Sequence, residues 1–159
     1  MVGDIMTWLV LTLVGAWLRL QSLGDHSLWY DEALNVWDAH QPFSEIPSTL
    51  HASPPLFHYL IRLFYLTFGR NDFWLRLPSA LFGIAAIPVF YFVAKKMGAP
   101  KTAFWGTLLL VFCPFHVVYS HELRMYSLVF LLALLSMYFW NEGLTKDDNR
   151  SWCWYGLVS

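Results

Sequence analysis

The sequence contains few charged residues. Charged residues make up 13% of its 159 residues, about half of the roughly 25% that soluble domains carry. A surface that faces water on every side is hard to build from so few charges. The net charge of -1 shows no basic excess, which argues against nucleic acid as a partner.

Cysteine is equally scarce. Cys113 and Cys153 have neither a metal-ligand spacing nor a disulfide framework, so we expect two buried, small apolar side chains. Hydrophobic residues, in contrast, are 57% of the chain and aromatic residues 19%, which excludes intrinsic disorder. The composition predicts a protein embedded in a membrane.

Four stretches without charge predict membrane-spanning helices, because a helix needs roughly 20 apolar residues to cross a bilayer. The predicted spans are residues 5–23, 77–94, 102–120 and 125–141. Arg19 lies near the end of the first span, and we expect its side chain to extend to the interface. Residues 151–159 are typical of the beginning of a fifth apolar helix, so we expect the chain to be a fragment of a longer polytopic, all-α bundle.

The segment between the first two spans, residues 24–72, is predicted to lie outside the bilayer and to contain interfacial helices. Within it, Ser53–Gly69 is apolar but has Arg62 at its middle, where a charge costs about 2.5–3.5 kcal/mol in a membrane. We therefore expect this stretch to lie at the interface or against other helices, starting at its Pro-Pro pair. Lys95, Lys96 and Lys101 predict a cytoplasmic loop, which puts the outer segment on the opposite face.

The first candidate cluster follows Trp29 in this outer segment. If Asp31–His40 is helical, one of its faces is polar and another is apolar. The polar face holds Asp31, Asn35 and Asp38, and the apolar face holds Tyr30, Leu34 and Trp37. This pattern predicts an amphipathic helix at the membrane surface. A purely structural alternative is that Asp31 caps the helix and Glu32 stabilises its positive end.

The second cluster joins two spans with almost no loop, and places four polar side chains at the membrane boundary. They are His121, Glu122, Arg124 and Tyr126. Ionisable residues at such depth usually face a bundle interior or a watery cavity. The alternative is a Glu122–Arg124 pair that marks the interface. In a regular helix those two side chains are about 200° apart, so either the turn is irregular or Arg124 has another partner.

Both clusters fall on the same predicted face. An arginine can hold a phosphate by bidentate hydrogen bonds, and a carboxylate can take the proton of an acceptor as general base. A transporter or flippase in which Glu122 and Arg124 line the path is the alternative from another class. It predicts internal repeats and glycine-broken helices at mid-membrane. A non-catalytic membrane scaffold also remains compatible with the sequence.

Four segments in a fixed order resemble a known family of enzymes. They are SLWYDEA at 27–33, SPPLFHYL at 53–60, FWLRLPSALFG at 73–83 and CPFHVVYSHELRMYSL at 113–128. Together they resemble the amino-terminal part of membrane glycosyltransferases with the GT-C fold. The most similar groups are the dolichyl-phosphate-mannose-protein mannosyltransferase-like and aminoarabinose-transferase-like families.

The resemblance implies roles for individual residues. Asp31 matches the acidic residue that the family uses as catalytic base or, in metal-using relatives, as ligand of a divalent cation. Glu32 is its partner in the catalytic pair. Glu122 and Arg124 match the motif near the donor phosphate, and His121 and Tyr126 flank them as further substrate-binding residues. Arg76 matches a position for which we expect a packing or interfacial role.

The resemblance also implies an activity. The parent enzyme is expected to transfer a sugar, with inversion, from a polyprenyl-phosphate donor to a glycan, lipid or protein acceptor at the outer face of a bacterial or archaeal plasma membrane, among membrane lipids. The fragment alone is expected to be inactive. One position departs from the family: Ser53 precedes Pro54, where many relatives have His or Asp, and His51 lies two residues earlier.

Overall fold

The computed structural model describes residues 2–49, 55–146 and 149–159. All regular elements in these ranges are helices, as expected: α1 Val2–Leu20, α2 Tyr30–His40, α3 Ile46–Thr49, α4 Pro55–Phe68, α5 Asp72–Met97, α6 Pro100–Phe112, α7 Pro114–His121, α8 Tyr126–Lys146 and α9 Asn149–Val158. His51, Ser53 and Pro54 lie outside the described residues, so the family departure there stays untested.

Helix α5 is the centre of the bundle and packs against α1, α4, α6, α7 and α8. It begins at an N-cap, Asn71, whose side chain accepts a hydrogen bond from the amide of Phe73 at 2.9 Å. Pro78 and Pro88 both lie inside it without ending it. It therefore extends the predicted span 77–94 at both ends, and membrane helices tolerate prolines of this kind.

Two of the described helices, α5 and α8, are long and apolar enough to cross a membrane. Helices α6 and α7 together would make a third crossing with a bend of 52°. The predicted span 102–120 is divided between these two helices: Pro114 has no amide hydrogen to continue the ladder, and the chain breaks at Cys113. Helix α1 includes most of the predicted first span, whose crossing stays a prediction.

Contrary to expectation, the side chain of Arg19 does not reach the interface. It is completely buried, and its guanidinium donates to the carbonyls of Leu110 at 3.3 Å and Val111 at 3.4 Å. These carbonyls stand next to the break made by Pro114, where the helix no longer supplies all of their donors. A second contact at 2.7 Å joins Arg19 to Nδ1 of His116. The arginine thus compensates for the broken helix inside the bundle.

The cysteine prediction fails in part. Cys113, at the helix break, is half-buried, whereas Cys153 is exposed on α9. Helix α9 itself begins at Asn149, which confirms a helix over residues 151–158.

Ion pairs mark one end of the bundle. Lys95 lies 3.2 Å from Asp4, and Lys96 and Lys146 both pair with Glu142. The opposite end holds the start of α5, where Arg76 donates to the carbonyl of His26 at 2.7 Å. The two predicted clusters of ionisable residues lie at this second end, which we call the site end.

Helix α4, with 14 residues, is not among the described helices long enough to cross a membrane, and its place outside the bilayer stays a prediction. The chain leaves α1 and enters α5 at the same end, because Arg76 also contacts the carbonyl of Leu23, beyond the end of α1. Helix α4 packs on α2 and α5. Arg62 at its middle donates to the carbonyls of Ala39 at 3.0 Å and His40 at 2.6 Å. It thereby satisfies orphan carbonyls at the end of α2.

Candidate functional site

The two clusters meet at the site end, where residues 91 positions apart in sequence are in contact. Nη2 of Arg124 is 3.5 Å from Oδ2 of Asp31, and both side chains are partly exposed. Arg124 belongs to the irregular turn between α7 and α8, in which its amide donates to the carbonyl of Glu122 at 2.8 Å. The sequence left two alternatives, an irregular turn or a different partner for Arg124. The structure shows both, because the turn is irregular and Arg124 pairs with Asp31.

Side chains of helix α2 hold this turn through hydrogen bonds to the backbone of the turn. The Oε1 atom of Glu32 accepts a hydrogen bond from the amide of Leu123 at 2.7 Å, and the amide of the Asn35 side chain donates to the Leu123 carbonyl at 2.7 Å. On the other side, the hydroxyl of Ser79 in α5 donates to the Arg124 carbonyl at 3.1 Å. The position of Arg124 relative to Asp31 is therefore fixed by two helices.

Arg76 and Glu32 form a buried pair. Nε of Arg76 donates to Oε1 of Glu32 at 2.9 Å, and Nη2 donates to Oε2 at 2.7 Å. The amide of Trp29 completes the set at 3.3 Å. Glu32 is 1% exposed. Burial opposes its ionisation, but the hydrogen bonds from Arg76 and Leu123 outweigh burial and hold the pKa of Glu32 below its ordinary value.

These contacts bear on the roles expected of Glu32 and Arg76. Every partner of the Glu32 carboxylate is already in place, which suits a group that positions its neighbours more than one that takes a proton. Arg76 has the expected packing role, but sequence reasoning did not foresee that its partner is Glu32. Asn35 was also missed as a contact of the turn, although its place on the Asp31 face was the available signal.

Helix α2 is amphipathic, and its contact with a membrane surface stays a prediction. Its polar face points into the protein, with Asn35 and Asp38 buried, whereas Tyr30 and Trp37 are 75% and 65% exposed. The polar side chains find partners there, as His58 of α4 lies 3.2 Å from the Asn35 oxygen. The helix also begins at Tyr30 after the N-cap residue Trp29, so Asp31 is not its cap.

Arg124 and Tyr126 lie beside an apolar groove. The guanidinium stands over the ring of Tyr126 at 5.7 Å, and that ring packs on Tyr119. The groove has a volume of about 440 Å³. Its lining comes from three helices: Leu110, Cys113, Phe115, His116, Tyr119, Tyr126, Ser127 and Phe130.

Glu122 and His121 lie on the other side of the turn, at a polar cavity of about 480 Å³. Trp29, His26 and Ser27 contribute to the same wall. Burial raises the pKa of Glu122, and the nearby charge of Glu32 raises it further, against the opposing effect of Arg124. Perturbed carboxyl groups in a cavity are typical of functional sites.

The described residues do not assemble a site for a divalent cation. No group of three or more His, Cys, Asp or Glu side chains with suitable placement occurs among them. Asp31, the residue that the resemblance offers as a ligand, is instead paired with Arg124.

Comparisons with known proteins add a family. Comparison with curated proteins and with solved structures gave no match. A model of the family described as dolichyl-phosphate-mannose-protein mannosyltransferase matches residues 52–159, which is more than half of the chain. The match contains Arg76 and the whole α7–α8 turn, whereas Asp31 and Glu32 lie before it and are joined to it by the two ion pairs described above. The chain therefore belongs to the dolichyl-phosphate-mannose-protein mannosyltransferase family, a group of membrane glycosyltransferases.

Proposed function

We propose that the protein transfers a sugar from a polyprenyl-phosphate donor to an acceptor of the cell envelope, with inversion at the anomeric carbon. The observation that carries this proposal is the Asp31–Arg124 pair, which joins a carboxylate and a guanidinium at one end of a membrane-embedded bundle. Lipopolysaccharide, other glycans and protein are the acceptor classes compatible with it. Family membership supports the general reaction.

In this proposal Arg124 binds the phosphate of the donor. A planar guanidinium matches a phosphate by two parallel hydrogen bonds. The apolar groove beside Arg124 and Tyr126 would then take the first isoprene units of the donor, since its lining is largely aromatic. Because Arg124 is only 3.5 Å from Asp31, the phosphate competes with the carboxylate for the same guanidinium.

Asp31 is the proposed general base. When the phosphate takes Arg124, the Asp31 carboxylate loses its partner and becomes available to the acceptor. The acceptor oxygen or nitrogen attacks the anomeric carbon, its proton passes to Asp31, and the bond between that carbon and the phosphate oxygen breaks. The polyprenyl phosphate leaves with the electron pair, so charge and atoms balance.

The proposed orientation follows from the lysines. Lys95, Lys96 and Lys101 lie at the end of the bundle away from Asp31, and short loops rich in lysine stay in the cytoplasm. The site end would then face the outside of a bacterial or archaeal plasma membrane. The exposed Tyr30 and Trp37 of α2 suit contact with the lipid interface there.

A reconstituted assay tests this function. The protein expressed from its full open reading frame is placed in liposomes with a radiolabelled polyprenyl-phosphate sugar and a lipid, glycan or peptide acceptor. Transfer predicts equal amounts of labelled acceptor and free polyprenyl phosphate. Movement of the intact donor across the bilayer without release of polyprenyl phosphate would instead support the transporter in which Glu122 and Arg124 line a path.

A further inference from the structure

The α7–α8 turn separates two cavities that differ in their lining residues. The apolar groove lies on the side of Tyr126, and the polar cavity lies on the side of Glu122. Arg124 lines neither cavity; it pairs with Asp31 at the edge of the turn. A ligand with an apolar tail, a phosphate and a polar head would therefore meet three different surfaces in sequence.

The polar cavity contains a flat aromatic wall. Trp29 is 48% exposed and lines this cavity, and its backbone is held because its amide donates to Glu32 at 3.3 Å. The adjacent backbone is fixed too, since Arg76 donates to the carbonyls of His26 and Ser27. The indole is thus presented by a rigid segment and offers an apolar face with one N–H donor.

The cavity also contains unused hydrogen-bonding capacity. In the described part of the chain, the Glu122 carboxylate makes no hydrogen bond or ion pair, although it lies near Arg124. His121 beside it lines the same cavity and donates to the carbonyl of Leu18 through Nε2 at 3.1 Å. Ligand pockets typically combine an aromatic wall with a few polar groups of this kind.

A phosphate does not fit this cavity. Glu122 would repel it, and the guanidinium of Arg76 is already committed to Glu32 at 2.7 Å. A sugar ring does fit, because it has an apolar face of C–H groups for the indole and hydroxyls at its edge for Glu122 and His121. The Glu122 carboxylate can accept hydrogen bonds from such hydroxyls.

We infer that the polar cavity is the sugar subsite, in which Trp29 stacks on the ring while Glu122 and His121 bind its hydroxyls, and that the phosphate stays on the Arg124 side. This inference rests on the proposed function. It also revises the role that the family resemblance implies for Glu122, which moves from the phosphate to the sugar. The ring is that of the donor or that of a glycan acceptor, since both have the same chemistry.

Binding measurements on the full-length protein in nanodiscs test the donor arm. The probes are farnesyl phosphate and its mannosyl, glucosyl and 4-aminoarabinosyl esters. For the best-bound ester, the ratio of its affinity to that of farnesyl phosphate measures the contribution of the sugar. Trp29→Ala should lower this ratio about tenfold, Glu122→Gln should lower it as well, and neither should change the affinity for farnesyl phosphate.

The matched control is Trp37→Ala, which removes an exposed tryptophan of helix α2 that does not line the cavity. It should leave the ratio unchanged. In a second outcome, Trp29→Ala and Glu122→Gln leave the ratio of the two affinities unchanged but raise the KM for a glycan acceptor. The subsite then holds the acceptor sugar. If neither quantity changes in the folded variants, the inference is wrong.

Failure of the proposed function has a different signature. In that case farnesyl phosphate binds no more tightly to the wild type than to Arg124→Ala. The affinity of the cavity for a free methyl glycoside, and its dependence on Trp29, would still report on the sugar subsite alone.

Discussion

Removing the guanidinium of Arg76 is the sharpest test of how the site end is held together. In Arg76→Ala, Glu32, which is 1% exposed in the wild type, loses two hydrogen bonds, at 2.9 and 2.7 Å. The carbonyls of Leu23, His26 and Ser27 lose their shared donor. Breaking a buried ion pair from one side costs about 3–5 kcal/mol of unfolding free energy.

The dependence on pH should reverse as well. In the wild type the pKa of Glu32 is lowered, so its contribution to stability is complete above the unfolded-state pKa of about 4.3 and is lost as pH falls through the folded-state value. Without Arg76, burial is the dominant influence and raises the pKa of Glu32 above its ordinary value. The variant should then lose stability as pH rises through that higher pKa.

Unfolding in mixed SDS micelles, followed between pH 4 and pH 8, measures both effects. Arg70→Ala is the matched control, because Arg70 is an exposed arginine that contacts only Tyr65 among the described residues; its cost should stay within about 0.5 kcal/mol. An Arg76→Ala variant as stable as this control, or with the pH slope of the wild type, would refute the structural role assigned to the pair.

Two further predictions concern donor binding and topology. Arg124→Ala should weaken use of the polyprenyl-phosphate donor, and Arg124→Lys should restore it only in part, because lysine lacks the planar fork that matches phosphate; equal donor KM values for both variants and the wild type would leave Arg124 outside the phosphate site. The topology is tested with single cysteines in a background without the native cysteines. The positions, all exposed, are Asp25, Arg70, Ala99 and Thr145. An impermeant thiol reagent added outside should label positions 25 and 70 and spare positions 99 and 145, whereas labelling of only one of the first pair would mean that α4 crosses the membrane.

Periodicity and charge predicted an all-helical fold and the meeting of the two clusters at one end of the bundle. Asp31–His40 was expected as a helix and is found as Tyr30–His40. The lysine loop and the charge of Arg62 predicted that Asp31 and Glu122 share one end of the bundle, and the Asp31–Arg124 contact agrees with this. These signals are visible in sequence because they depend on local spacing and on the cost of charge in a membrane.

The polar contacts inside the bundle could not be predicted from the sequence. Arg19 points into the bundle because carbonyls next to Pro114 need donors there. The polar face of α2 points inward because Leu123 and His58 offer partners. Such partners come from distant parts of the chain, so no local spacing in the sequence predicts them.

The central claim is that Asp31 takes the proton of the acceptor beside the phosphate-binding Arg124, and the turnover rate of Asp31→Asn tests it most directly. The measurement uses the full-length protein in liposomes at saturating donor, with Asp25→Asn as a matched control on an exposed carboxylate of the same segment. We predict that Asp31→Asn inserts and folds normally but transfers sugar about 10²–10⁴ times more slowly, while Asp25→Asn keeps the wild-type rate. A near-normal rate for Asp31→Asn would contradict the account.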